Sequence, residues 1–491
     1  MLPIRVVAGI SLALLLPPVW LMVVSGSVSV SSVLLCVVAL LPGALLPGAL
    51  LRRIRYRRLA VVLALAAASG YVGLLVGLLG PSTAPLAGPP AVGPPIAAPV
   101  VEPAAAPVAE PVPGSLAAWF APFGVETVSA PLVDFGRLRS GAESGPIYAV
   151  SPTNAETLQQ VVARAYEHDV PMRIRGRGHS MNGSSLPRPD ELLIRSVGLS
   201  HVRFERPGTV TVEGGVPIHD LRQVLQRYGY DIPVYNDGTA DGGPSIGGYI
   251  NAGGFGPGSA KFGGFWENVD AVTLVVADGE RRTLERVDSD FPWVFGAMGQ
   301  LGVVLEARLD IYPAADSVAP SYPEGKVIDV TQELVLGQDP RTVANRPDAT
   351  SRTPIYWFTL FISPEQAAAA ARALAQIQER HAGELSFRPA YTYPIHHRAA
   401  AAPLVYGIAG DFVAIGIWGD SPAPGTVEAI DAEVATLARS TGYRRYVQAE
   451  ILTGPEAYRD YFDTETYQEF MRRRRALDPK GLFNRGSVFP E

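Results

Sequence analysis

The chain has one cysteine, Cys36, among 491 residues. No internal disulfide is available, and cysteine chemistry is excluded from everything outside the apolar stretch that holds Cys36. Histidine is also scarce, at seven. His201, His219 and His381 have no cysteine or acidic partner at metal spacing, so they read as surface or helix-cap residues, and no metal site is expected. Charged residues make up 18% and the formal net charge is −6, which gives no support for a nucleic-acid partner. Charge is missing altogether from Val6 to Leu51 and again from Leu59 to Val101.

Apolar runs of roughly 20 residues span a bilayer. About three transmembrane helices are therefore expected within residues 1–80, near Val6–Val24, Val28–Leu51 and Leu59–Leu79. A cleaved signal peptide is the rival for the first run, because Arg5 precedes it, but it accounts for neither of the others. Arg52, Arg53, Arg55, Arg57 and Arg58 lie between the second and third runs. The positive-inside bias assigns them to the cytoplasm and sends the rest of the chain outward. The expected location is thus the cell membrane, multi-pass, with the bulk of the protein extracytoplasmic and the lipid bilayer as a partner. One helix fewer inverts that orientation. The spans carry no Asp, Glu or His, so they read as an anchor with no proton path.

Residues 81–114 form a Pro/Ala-rich linker with an extended bias. The length beyond it is ample for a sizeable core. Thr153 with Glu156 reads as a capping box, and Leu158, Val161, Val162 and Ala165 give the stripe of an amphipathic helix. A short strand at Pro171–Arg175 runs into the loop GRGHSMNG. LLIRS and TVTVEGG read as strands, and Ile218–Tyr228 as a helix closed by Gly229. The stretch from Asp237 to Gly264 is so rich in glycine that neither helix nor strand is expected to dominate it. AVTLVVADGERRTL reads as a hairpin turning at Asp278-Gly279. IYWFTLFIS and DFVAIGIWGD then read as aromatic strands, each followed by a helix, at Pro364–His381 and about Thr426–Ser440. TETYQEFMRRRRAL reads as a basic helix with Arg472–Arg475 on a solvated face.

Gly176 and Gly178 begin a G-x-G-x-x-G pattern, but Met181 stands at its third glycine, so a Rossmann fingerprint is ruled out. A glycine loop after a strand still offers backbone to an anion, and Arg175 and Arg177 add charge. The second glycine stretch supplies another such wall. Two walls in one domain suit a long ligand with a pyrophosphate in its middle.

GRGHSMNG, SIGGYINAGG with NVDAVTLVVADGE, GQLGVV and DPKGLFNRGSVF, in this order and spacing, resemble the vanillyl-alcohol-oxidase (PCMH-type) superfamily of FAD-linked oxidoreductases, and within it the cytokinin dehydrogenases. The resemblance is strong over Gly145–Pro313, moderate over Arg444–Phe489 and weak between. It implies an α+β fold, a split PCMH-type FAD-binding domain with an inserted α/β substrate domain, preceded here by the transmembrane anchor. The corresponding segments are 115–313 for FAD, 314–441 for substrate, and 442–491 returning to the FAD site. FAD bonded covalently to His179 is implied, with Ile174, Gly176, Arg177, Gly178, His179, Ser180, Ser245, Asn251, Phe255, Val304, Asn484 and Ser487 around it. Ser184 replaces a glutamine usual in the family. Gly238-Thr239-Ala240 replaces a Trp-Thr-Asp segment whose aspartate is catalytic.

With the aligned aspartate gone, Asp241 and Asp237 are the candidates for the base that takes a proton while hydride leaves. Both also suit turn residues beside glycine. His396-His397, after Tyr391 and Tyr393, is read as bordering the substrate cavity, and Tyr446, Glu450 and Tyr467 lie where the resemblance returns toward an active site. The implied activity is hydride transfer from a C–H next to nitrogen or oxygen in a small-molecule substrate: an amine, an alcohol, or a lactone or sugar. The electron acceptor, oxygen or a quinone, is open. The alternatives are a flavin-binding envelope scaffold without turnover and an NADPH-dependent reductase on the same fold.

Overall fold

The computed structural model describes residues 115–128, 131–138, 146–235, 243–314, 319–333, 355–384, 386–396, 402–405, 410–420, 424–446 and 462–486. The expected membrane spans and linker lie outside these residues. Among the described residues no helix is long and apolar enough to cross a membrane. All of them belong to one compact unit.

The first layer holds α1 (Leu116–Phe120), β1 (Glu126–Val128), β2 (Ile147–Val150), α2 (Ala155–Glu167), β3 (Met172–Arg175) and β4 (Leu192–Arg195). Its sheet runs β1-β2-β4-β3, with β2 and β3 both parallel to β4. The expected stripe is the buried face of α2: Leu158, Val161, Val162 and Ala165 are fully covered. Burial of each of the larger three contributes about 1.5–3 kcal/mol. The cap differs from expectation. Asn154, not Thr153, holds the first turn, its Oδ1 accepting from Thr157 N at 2.9 Å. Asparagine and threonine both cap well, so the pattern located the helix start to within one residue.

The second layer comprises β5 (His201–Arg203), β6 (Thr209–Glu213), α3 (Ile218–Gln226), β7 (Tyr230–Asp231), α4 (Ile246–Ala252), α5 (Ser259–Phe262), β8 (Val269–Val275), β9 (Arg281–Glu285), β10 (Val303–Asp310), β11 (Tyr312–Pro313), β12 (Val327–Asp329) and α6 (Val330–Glu333). A six-stranded sheet runs β12-β5-β6-β10-β8-β9, every pair antiparallel. The β8–β9 hairpin forms as expected, with a longer turn: Val275 faces Arg281, and Gly279 takes φ +85. The second glycine stretch departs from expectation by containing α4. Helix survives there because Gly247 packs where a side chain has little room, its Cβ position 3.0 Å from Gly214 O and 3.3 Å from Val304 Cβ. Tertiary packing overrides the low helix propensity of glycine.

A third sheet is built from β13 (Ile355–Ile362), α7 (Ala367–Arg380), β14 (Ser386–Ile395), β15 (Phe412–Asp420), α8 (Pro424–Thr441) and β16 (Arg444–Arg445), ordered β14-β15-β13-β16. Phe358, Leu360 and Ile362 of β13 join the core under α7 and α8, whereas Phe361 joins the core of the second layer. β14 was not expected. Its Pro389 and Pro394 argue against a strand, yet it lies at the sheet edge, where a missing N–H is tolerated.

The last helix, α9 (Thr464–Leu477), is capped by Asp463, whose Oδ1 accepts from Thr466 N at 2.7 Å. The expected solvated arginine face is only half correct. Arg472 and Arg475 are exposed, whereas Arg474 is buried and Arg473 lies over the Trp293 ring at 5.0 Å. Four successive residues on a helix cover all its sides, so they do not share a face. After α9 the chain reaches the free edge of β3. Met172 N donates to Leu482 O and Asn484 N to Met172 O, both at 2.8 Å.

Candidate FAD site

An open cleft lies between the two glycine segments. Ile174, Gly176, Arg177, Gly178, His179, Ser180, Ser245, Asn251, Val304 and Asn484 all line it. Phe255 does not. It is buried among Phe361, Tyr393 and Tyr446, with ring centroids 5.2–6.0 Å away. Ser487, Asp237 and Asp241 lie outside the described residues.

The first wall is the turn leaving β3. Gly178 has φ +69, and a Cβ there would come within 2.2 Å of the Arg175 guanidinium. Only glycine meets both conditions. Arg175 is buried beneath the turn, donating to Val133 O at 2.8 Å and Ser185 Oγ at 3.2 Å. Burial pulls it down to about 10 against the attraction of Asp134. Arg173 is equally buried and makes a two-pronged pair with Glu191, at 2.8 and 2.7 Å. It also donates to Ser184 O and Arg485 O, which joins the loop to the C-terminal segment. Breaking such a pair from one side costs about 3–5 kcal/mol.

The second wall is the start of α4, where Ser245 caps Gly248 N at 3.3 Å. Its first amides are already engaged: Ile246 N donates to Val216 O and Gly247 N to Gly214 O. This wall is therefore a packed surface more than the open nest of donors that its glycines suggest. Gly214 is required for the same contact, since its Cβ position lies 2.1 Å from Val304 O.

The third wall, Met298, Gly299, Val303 and Val304, was represented in the sequence analysis by Val304 alone. Asn251 and Asn484 hold it from either side. Asn251 Oδ1 accepts from Gly299 N at 3.1 Å, and Asn484 Nδ2 donates to Met298 O at 2.7 Å. Asn484 Oδ1 accepts from Ile174 N at 2.9 Å, so one side chain ties the first wall to the third. Ser184, Ser185, Ser196, Pro244, Gly247, Gly248 and Ala252 complete the lining. None of these has a signature of its own in the sequence beyond proximity to a glycine motif.

Residues 146–285 match the FAD binding domain family model. Beyond that domain, the chain is similar to FAD-linked oxidoreductases of the PCMH type. It is 26% identical over 215 residues to an uncharacterized oxidoreductase of the fasciation locus in Rhodococcoides fascians, covering 43% of this chain and 47% of that one. It is 31% identical over 181 residues to the D-arabinono-1,4-lactone oxidase of Yarrowia lipolytica, 35% and 33% of the two chains. A berberine bridge enzyme-like protein of Cynodon dactylon is 26% identical over 187 residues, 35% and 34%. The chain thus spans between a third and a half of the length of these relatives.

FAD is the cofactor, and the cleft suits it. Gly176 and Gly178 let the turn after β3 line it closely, Arg177 brings positive charge, and Ile174, Met298, Val303 and Val304 give apolar lining for a ring system. Among the other candidates, Tyr446 is buried in the aromatic cluster, and burial pushes its hydroxyl far up, so it holds its proton at neutral pH. Tyr467 packs on the same core, and His396 pairs with Asp411 at 2.8 Å. His397 and Glu450 lie outside the described residues. His201 and His381 are engaged with Glu213 and Glu433.

Asp134 is a buried carboxylate beside the histidine loop that the sequence analysis missed. Burial pushes it up to about 6, against its hydrogen bonds with Gly183 N, Leu138 N and Ser180 Oγ and the nearby charge of Arg175. At about 1.4 kcal/mol per tenfold change in proton affinity, keeping it ionised at neutral pH costs the fold about 3 kcal/mol. Its folded-state pKa is raised, so its stabilising contribution is fully present below about pH 4 and is lost as pH rises through about 6. The unfolding free energy of wild type relative to Asp134→Asn, measured in denaturant, should therefore fall by about 2 kcal/mol between pH 4 and pH 7.5. A difference that does not change with pH would contradict this assignment.

Proposed function

We propose that this chain is an FAD-dependent oxidase or dehydrogenase that accepts hydride from a C–H next to nitrogen or oxygen, with FAD joined to His179 and the domain held at a membrane by the N-terminal apolar segments. The observation that carries the reading is the convergence on one cleft of residues from the GRGHS loop, the start of α4, the GQLGVV segment and Asn484. When bound, FAD supplies a two-electron acceptor for the hydride. Ile174, Gly176 and Gly178 bound its site on one side, and Ser245, Asn251 and Val304 on the other. His179 offers an imidazole nitrogen for the bond. Such a linkage would be a two-electron oxidation: one hydrogen would leave the His179 imidazole N–H and one the cofactor, with dioxygen as the oxidant taking both as hydrogen peroxide.

The proton released with the hydride goes to a carboxylate, for which Asp241 is first and Asp237 second. Asp241 is put first because it stands one position from the aspartate of the family segment, and a carboxylate is the group that takes a proton as hydride leaves. Likeness to a lactone oxidase puts sugar lactones and hydroxy compounds at the head of the donor panel, followed by amines. In Asp241→Asn, anaerobic flavin bleaching by the active donor should slow by roughly 10²-fold, with flavin content unchanged. Wild-type rates in both Asp241→Asn and Asp237→Asn would move the base elsewhere. Flavin that no donor in the panel reduces would favour the non-catalytic scaffold.

A further inference from the structure

A short strap before β2, residues 131–138, runs along the histidine loop. Phe135 N donates to Gly178 O at 2.9 Å and Gly136 N to Ser180 O at 3.1 Å, so two backbone rungs flank His179. Between them the Phe135 ring stacks on the imidazole, with centroids 4.3 Å apart and planes at 28°. Asp134 fastens the same loop through its side chain. Oδ2 accepts from Ser180 Oγ at 3.0 Å and Gly183 N at 2.8 Å, while Oδ1 accepts from Leu138 N at 2.9 Å within the strap. The fit is close at Gly136, whose Cβ position is 2.4 Å from Met181 O. Gly136 O in turn accepts from Ile355 N, the first residue of β13, at 2.8 Å.

We propose that the Asp134–Phe135 strap is a positioning device that presents the His179 imidazole to FAD. The inference deepens the proposed linkage at His179 and rests on it. An imidazole on a glycine turn has its own two side-chain torsions and a pliant backbone beneath it. The stacked ring restrains the torsions, and the carboxylate with its backbone rungs restrains the loop. Bond formation needs the reacting nitrogen held to within about an ångström, and a misplacement of that size costs on the order of 100-fold in rate. Asparagine would be cheaper to bury than Asp134, but it cannot replace it. Its amide would set a donor against either Leu138 N or the Ser180–Gly183 pair, so one half of the clamp is lost whichever way it turns. Phe135 and Asp134 are thus positioning residues that act through His179.

The test uses the full-length protein, made under riboflavin limitation and then supplied with FAD, with acid-stable and total bound flavin followed over time. Phe135→Leu and Asp134→Asn should each form acid-stable flavin at least tenfold more slowly than wild type, with total bound FAD within twofold. Phe135→Tyr, which keeps the ring, should restore the rate. Acid-stable flavin forming at the wild-type rate in Phe135→Leu and Asp134→Asn would overturn the proposal. Should Asp134→Asn lack a cooperative melt, the Phe135 pair decides alone. Should wild type itself hold no acid-stable flavin, the linkage at His179 fails, and carbethoxylation of His179 by diethyl pyrocarbonate, followed by mass spectrometry, decides the strap. A several-fold faster reaction in Phe135→Leu than in wild type supports it, and equal rates overturn it.

Discussion

Acid precipitation of His179→Ala should leave a colourless pellet and a yellow supernatant, whereas the wild-type pellet stays yellow. The effect is all-or-none because a covalent bond survives denaturation and every other contact in the cleft depends on the fold. His179 is the histidine that lines the cleft, and the only cysteine, Cys36, falls in the second apolar run of the sequence, so no cysteine of the FAD-binding segment offers a thioether as a second attachment. Before precipitation the variant should still be yellow, since Ile174, Ser245, Asn251 and Asn484 are untouched. A wild-type pellet without colour would end the covalent reading and leave FAD binding intact.

Asn484→Ala should lower the flavin content of purified protein more than tenfold, measured as the ratio of absorbance at flavin and protein wavelengths. The side chain satisfies Ile174 N and Met298 O, and its truncation strands both groups at about 1–3 kcal/mol each. The residue also sits at φ 44, a left-handed conformation that asparagine visits and alanine resists by about 1–2 kcal/mol. The two walls it joins should separate, and with them the ring site. Asn484→Asp retains the acceptor toward Ile174 N and the tolerance of positive φ, so it should lose less. Stoichiometric flavin in Asn484→Ala would mean that the walls hold without their tie.

What was legible in the sequence follows the range of each interaction. The helix face of Leu158, Val161 and Val162, and the turn after β3, are set by residues a few positions apart, so periodicity and glycine located them. Asn484 carries no such local mark. Its partners Ile174 and Met298 are hundreds of residues away, and only likeness to a family pointed to it. Asp134-Phe135 was missed because nothing around it is patterned and its meaning depends on His179 folding beneath it. β14 was hidden by two prolines whose cost vanishes at a sheet edge, a position that no local pattern reveals. The four arginines of α9 read as one charged run, and only the packing of Trp293 and the helix interior divides them.

The pairing of residues 482–484 with β3 also sets an order of events during synthesis. Ile174 and Asn484 are 310 residues apart. At about 5–20 residues per second, the ribosome needs on the order of 15–60 seconds to travel from one to the other. For that interval β3 has an unpaired edge, which invites association with other chains, and the cleft lacks one of its corners. A cleft that needs Asn484 as its corner is closed only after residues 482–484 have been made, 310 residues after Ile174.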